Sequence, residues 1–110
     1  MTLDDYQQAS ASTIVESDDS ALFLARMTLG LVGESGEVAE KVKKILRDDN
    51  GQLTNETKSA IAAELGDVLW YLARLAELTD VSLDKVAQEN LSKLTSRQKR
   101  NKISGSGDNR

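Results

Sequence analysis

The sequence predicts an all-α domain, a four-helix bundle-like fold that assembles with copies of itself. Three observations carry that reading. The 110 residues contain no proline and are rich in Ala, Leu, Glu, Lys and Gln, all good helix formers. Four stretches of helical character are separated by clusters of capping and turn residues. The segment "AIAAELGDVLWYLARLAEL", residues 60–78, is apolar on nearly every side. Such a helix must be covered on nearly every side. A four-helix chain this short struggles to do that alone, so a homo-oligomer is expected, a dimer or a tetramer.

The elements follow in order. A first helix is expected from Leu3 to about Glu16, broken by "ESDDSA". Ser17, Asp18 and Asp19 are natural caps for a second helix from about Ser20 to about Arg47. There "DDNG" at 48–51 is a stop and a turn. "TNET" at 54–57 offers a new N-cap for a third helix from about Glu56 to Leu78. Ser82 and Asp84 suit the start of a fourth, from Leu83 to about Arg97. Residues 1–97 thus form one helical domain, and 98–110 a basic Gly/Ser-rich tail, expected to be mobile unless a ligand or partner holds it.

Composition narrows the chemistry. With no cysteine and no histidine, disulfides and thiolate or imidazole metal sites are excluded. No apolar run approaches the roughly 20 residues of a membrane span. The start "MTLDDYQQ" is acidic, unlike a secretory signal, so a cytoplasmic protein is expected. The net charge of −4 is uneven. Residues 92–110 hold six Lys and Arg against Asp108, a balance of +5, which leaves −9 on residues 1–91. An acidic body repels nucleic acid, which is not an expected partner. From charge alone, the basic tail reads as a solvated segment.

The chemistry concentrates in "GLVGESGEVAE", residues 30–40. Glycine inside a helix costs about 1 kcal/mol relative to alanine, yet Gly30, Gly33 and Gly36 recur there beside Glu34, Glu37 and Glu40. Glu34 and Glu37 are three apart, hence on one helix face. Glu64 and Asp67 repeat that spacing on the third helix, with Gly66 between them. A short turn joins the two helices, so they should run antiparallel, with the two acidic pairs at matching heights. Unit charges 4 Å apart repel by about 4 kcal/mol at an effective dielectric of 20. Protons or a multivalent cation must relieve that, and all-oxygen ligation suits Mg²⁺ first and Mn²⁺ second. The glycines would let the helices approach closely and leave room for a bulky ligand. The ordinary alternative is a solvent face of i, i+4 pairs, Glu37–Lys41 and Glu40–Lys44. The coincidence of two glycine-flanked acidic pairs favours the metal reading for all but Glu40.

"GESGE" followed by "ELGDVLWYL" resembles the E-x-x-E and E-x-x-D signature of the all-α nucleoside triphosphate pyrophosphohydrolases, in particular the small stand-alone MazG-like proteins. "LDDYQ", "ENLSKLTSR" and "ISGSGDNR" also look like parts of that family, so the resemblance covers nearly the whole chain. It implies hydrolysis of a nucleoside triphosphate between the α and β phosphates, giving monophosphate and pyrophosphate, in house-cleaning or nucleotide-pool control. A deoxynucleotide is the expected substrate. By position, Glu34, Glu37, Glu64 and Asp67 would be the Mg²⁺ ligands, with Glu37 the candidate general base. Tyr71, four residues after Asp67, would pack on base or sugar, or else sit in the core. Trp70 lies round the helix and reads as core or subunit interface. Lys41 and Lys44 would reach the phosphates or pair with glutamates. Asn90, Lys93 and Arg97 share one face of the fourth helix at i, i+3, i+7, an arrangement suited to a polyphosphate, and in the family such Asn and Lys residues serve that role. "SGSGD" would close over the ligand as an anion nest. The competing class is a non-enzymatic helical assembly module whose basic C-terminal segment binds nucleic acid or a protein partner.

Overall fold

A computed structural model describes residues 1–15 and 19–110. The all-α expectation holds. Among the described residues there are four α-helices, α1 Leu3–Ser10, α2 Ser20–Asp48, α3 Asn55–Leu78 and α4 Leu83–Lys99, and no strand.

The first helix is shorter than expected, because its own hydroxyls end it. Ser10, Ser12 and Thr13 donate to the carbonyls of Gln7, Ala9 and Ser10, competing with the α-helical ladder. The chain tightens into a 3₁₀ turn over Ala11–Thr13 and becomes extended at Ile14. The expected end at Glu16 and the capping roles of Ser17 and Asp18 fall outside the described residues. Asp19 caps α2, accepting from the Leu22 N–H at 2.9 Å. Thr54 caps α3 and Ser82 caps α4, as the sequence suggested. At the end of α3 the Asp80 N–H reaches Glu77 O and the Val81 N–H reaches Ala76 O. With Asp80 at φ 56 this is a Schellman motif, which turns the chain sharply into α4.

α2 and α3 form an antiparallel hairpin. Contacts across it run in opposite directions along the two helices: Lys41 meets Glu64, Glu34 meets Asp67, and Gly30 meets Tyr71. α1 lies across α3 and the start of α4. Asp4 accepts from the Ser82 hydroxyl and the Asp84 N–H, and Gln7 Oε1 accepts from the Leu83 N–H. These side chains serve N–H groups that the first turn of α4 leaves orphaned. Ala73, Ala76 and Leu83 form the small buried core there, with Leu3, Tyr6, Leu69 and Val81 packed around it. Arg74 is buried beside it, its Nη2 donating to Gln7 O and Ser10 Oγ and its Nη1 to Glu77.

A single chain does not surround α3. Leu65 is 53% and Leu72 40% exposed. α2 is barer still: Leu22, Ala25, Leu29, Val32, Gly36 and Ala39 follow heptad spacing and are all exposed, with Lys43 at the next position of that stripe and Leu46 beyond it. The radius of gyration is 16.9 Å, against about 13 Å for a compact chain of this length.

Candidate metal and nucleotide site

Glu34 on α2 and Glu64 and Asp67 on α3 meet across the hairpin. One carboxylate oxygen from each lies within 4.8 Å of the others. Geometry explains it: Glu64 and Asp67 are one turn apart on the face of α3 that meets α2, and Glu34 stands at their height. Among the described residues, the ion pair to this cluster comes from Lys41, whose Nζ is 3.5 Å from Glu64 Oε1. Three acids against one base leave the cluster under-neutralised. Accordingly burial, then Asp67, Glu64 and Glu37, hold the Glu34 carboxyl above its ordinary range. A hard divalent cation suits such an all-carboxylate set, so the residues present fit the ion that the sequence implied.

The other candidate residues fall in different places. Glu37 is exposed and outside the group of three, although close enough to act on Glu34. Lys41 reaches the cluster, whereas Lys44 turns to Glu40 at 3.7 Å. Asn90 is exposed on α4. Lys93 and Arg97 hold Asp108 of the C-terminal segment, which is folded back on α4.

Tyr71 borders the carboxylates. A groove of about 350 Å³ is lined by Glu34, Asp67, Tyr71, Trp70 and Thr13. Trp70 therefore belongs to this groove rather than only to the core or an interface. Its ring meets Tyr71 edge-on at 5.0 Å, its Nε1–H donates to Thr13 Oγ1 at 2.7 Å, and the Arg74 guanidinium lies 5.6 Å from its centroid. A helical wheel puts Trp70 to one side of Asp67, and nothing in the sequence foretells that the 3₁₀ turn after α1 brings Thr13 to it. The glycines divide. At Gly30 an added Cβ would clash with the edge of the Tyr71 ring, so close approach is its reason. Gly33, Gly36 and Gly66 have nothing within 4 Å of such an atom. The expectation that they bring the helices together is corrected, and what they leave is open space.

Carboxylates gathered between two antiparallel helices, beside an aromatic-walled groove, define an all-α protein with an acidic cluster able to hold a cation. Comparison with known proteins makes the class specific. Residues 24–101 match the MazG nucleotide pyrophosphohydrolase domain, and the chain belongs to that family. It is 52% identical over 114 residues to the Gene 37 protein of Mycobacterium phage L5, covering 100% of both chains. No solved structure matches.

Proposed function

We propose that the protein is a Mg²⁺-dependent nucleoside triphosphate pyrophosphohydrolase, with Mn²⁺ as an alternative ion. It cleaves (deoxy)nucleoside triphosphates between the α and β phosphates and so controls the nucleotide pool of the cytoplasm. The convergence of Glu34, Glu64 and Asp67 within 4.8 Å carries the reading. These three would hold the divalent ion, and Glu37, one turn further along α2, would complete the set and take the proton of the attacking water. The ion would neutralise phosphate charge and lower the pKa of a bound water. Lys41 pairs with Glu64 at the rim and would turn to the polyphosphate when the ion takes over that carboxylate, with Lys44 beyond it. Tyr71 and Trp70 would flank the base or sugar.

The protein would act as a homo-oligomer, dimer or tetramer. The exposed heptad stripe of α2 supports this, as do Leu65 and Leu72 on α3. In such an assembly Asn90, Lys93 and Arg97 on α4 would serve the polyphosphate.

Incubation with a panel of dNTPs and NTPs plus Mg²⁺ tests the proposal. Pyrophosphate rather than orthophosphate should appear, and Glu64→Gln or Asp67→Asn should lower the rate by about a hundredfold or more. A chain inactive on the whole panel, or one whose activity survives those substitutions, would be an assembly module instead.

A further inference from the structure

The C-terminal segment is closed rather than trailing. α4 ends in a Schellman motif, with the Asn101 N–H on Gln98 O and the Lys102 N–H on Arg97 O. Arg110 then staples the loop shut: Nε donates to Lys102 O, Nη2 to Ile103 O and Nη1 to Gly107 O. Gly105 and Gly107, at φ 114 and 86, supply the left-handed turns that bring the chain back. The result is that Asp108 is delivered to the side chains of α4. Lys93 Nζ lies 3.3 Å from its Oδ1, and Arg97 Nη2 donates to its backbone oxygen at 2.6 Å and to Oδ1 at 3.4 Å.

The fit is incomplete. The Arg97 side chain is only 6% exposed, yet its Nε is buried without a partner. Nε and Nη2 form one edge of the guanidinium fork, an edge suited to two acceptors. Asp108 engages Nη2 alone. A phosphate group carries more charge and a third oxygen, so it can serve Nε, Nη2 and Lys93 Nζ together. Two cations facing one carboxylate are better matched to that anion than to the one that holds them.

We infer that Asp108 is a built-in competitor for phosphate: its carboxylate occupies the Lys93–Arg97 pair, and a phosphate-bearing ligand must displace it, opening the 100–110 loop. This deepens the functional proposal and rests on its assignment of Lys93 and Arg97 to the polyphosphate. The tail is then a gate on those contacts, closed when no phosphate is present.

The test uses the full-length, ¹⁵N-labelled protein in EDTA, where the carboxylates of α2 and α3 hold no divalent ion. Inorganic pyrophosphate should shift the Gly105 and Gly107 amides towards their positions in Asp108→Asn. That variant should bind pyrophosphate about two- to fivefold tighter than wild type. Lys93→Met, which leaves the buried guanidinium in place, should weaken binding. Equal or weaker binding by Asp108→Asn, or pyrophosphate bound with both glycine amides unmoved, would overturn the gate. Hydrolysis of dNTPs with Mg²⁺, assayed in parallel, separates the two ideas. Turnover with unmoved glycines sinks the gate alone, whereas a responsive loop without turnover sinks the enzymatic reading and leaves a phosphate-gated tail.

Discussion

The Tyr71 ring occupies the volume that a side chain at residue 30 would need. Gly30→Ala therefore gains about 1 kcal/mol of helix propensity but drives a methyl into a rigid ring, and overpacking of that kind typically costs about 1–3 kcal/mol. The aromatic wall beside Glu34 and Asp67 would be displaced as well. Denaturant unfolding should show Gly30→Ala destabilised, and Gly30→Ala with Tyr71→Ala recovering part of the loss. Gly33→Ala has only open space to enter, and should instead gain up to about 1 kcal/mol.

Arg74 ties the N-terminal segment to α3. Its Nη2 satisfies Gln7 O and Ser10 Oγ, its Nη1 meets Glu77 at 2.7 Å, and its guanidinium stands over Trp70. Arg74→Met keeps much of the volume but leaves buried Ser10 Oγ without its donor and Gln7 O with the Ser10 hydroxyl in place of the guanidinium, a loss of about 1–3 kcal/mol. The 3₁₀ turn that carries Thr13 to Trp70 should loosen with it. A stability loss should therefore come with a change in Trp70 fluorescence. A stability loss with unchanged fluorescence would mean that the groove does not depend on this anchor.

Much of the hairpin was legible in the sequence because it is local. Asp19, Thr54 and Ser82 are capping residues standing where helices begin, and Glu34, Glu64 and Asp67 are brought together by two short periodicities and one turn. What was not legible depends on contacts distant in sequence. α1 stops at Ser10 because hydroxyls compete for its carbonyls, which composition does not reveal. Thr13 meets Trp70 across 57 positions of chain. The buried state of Arg74 follows from α1 folding over it, although a wheel would set an arginine in water. Lys93 and Arg97 read as contacts for a polyphosphate, and only the course of the tail brings Asp108 to them.

The raised Glu34 pKa has a pH signature. Unfolded, this carboxyl ionises near 4.5; folded, burial and the neighbouring acids hold its proton to higher pH. Its stabilising contribution is thus complete below pH 4.5 and is lost as pH rises through the folded value. At pH 7 without metal, the ionised group opposes folding. Glu34→Gln should then melt above wild type in EDTA, and the gap should close as pH falls towards 4.5. Mg²⁺ should reverse the order by binding the folded wild type alone. Melting curves across this pH range, with and without Mg²⁺, check both halves. A variant that melts below wild type at pH 7 in EDTA would show that the acids are not in conflict.

The bare stripe of α2 makes the strongest demand on a partner. Leu29 is 70% and Val32 66% exposed, on the face turned away from α3. Burying one such side chain in an interface is worth about 1.5–3 kcal/mol, and a twofold interface uses each position twice. Leu29→Glu would place two carboxylates where two leucines should meet, weakening self-association by about a hundredfold or more. The hairpin contacts of Glu34 with Asp67 and of Gly30 with Tyr71 lie on the opposite side and should survive. Sedimentation velocity should find wild type as a dimer or tetramer, and Leu29→Glu as a helical monomer by circular dichroism. A monomeric wild type, or a variant that associates equally well, would leave the apolar face of α2 without the occupant its spacing calls for.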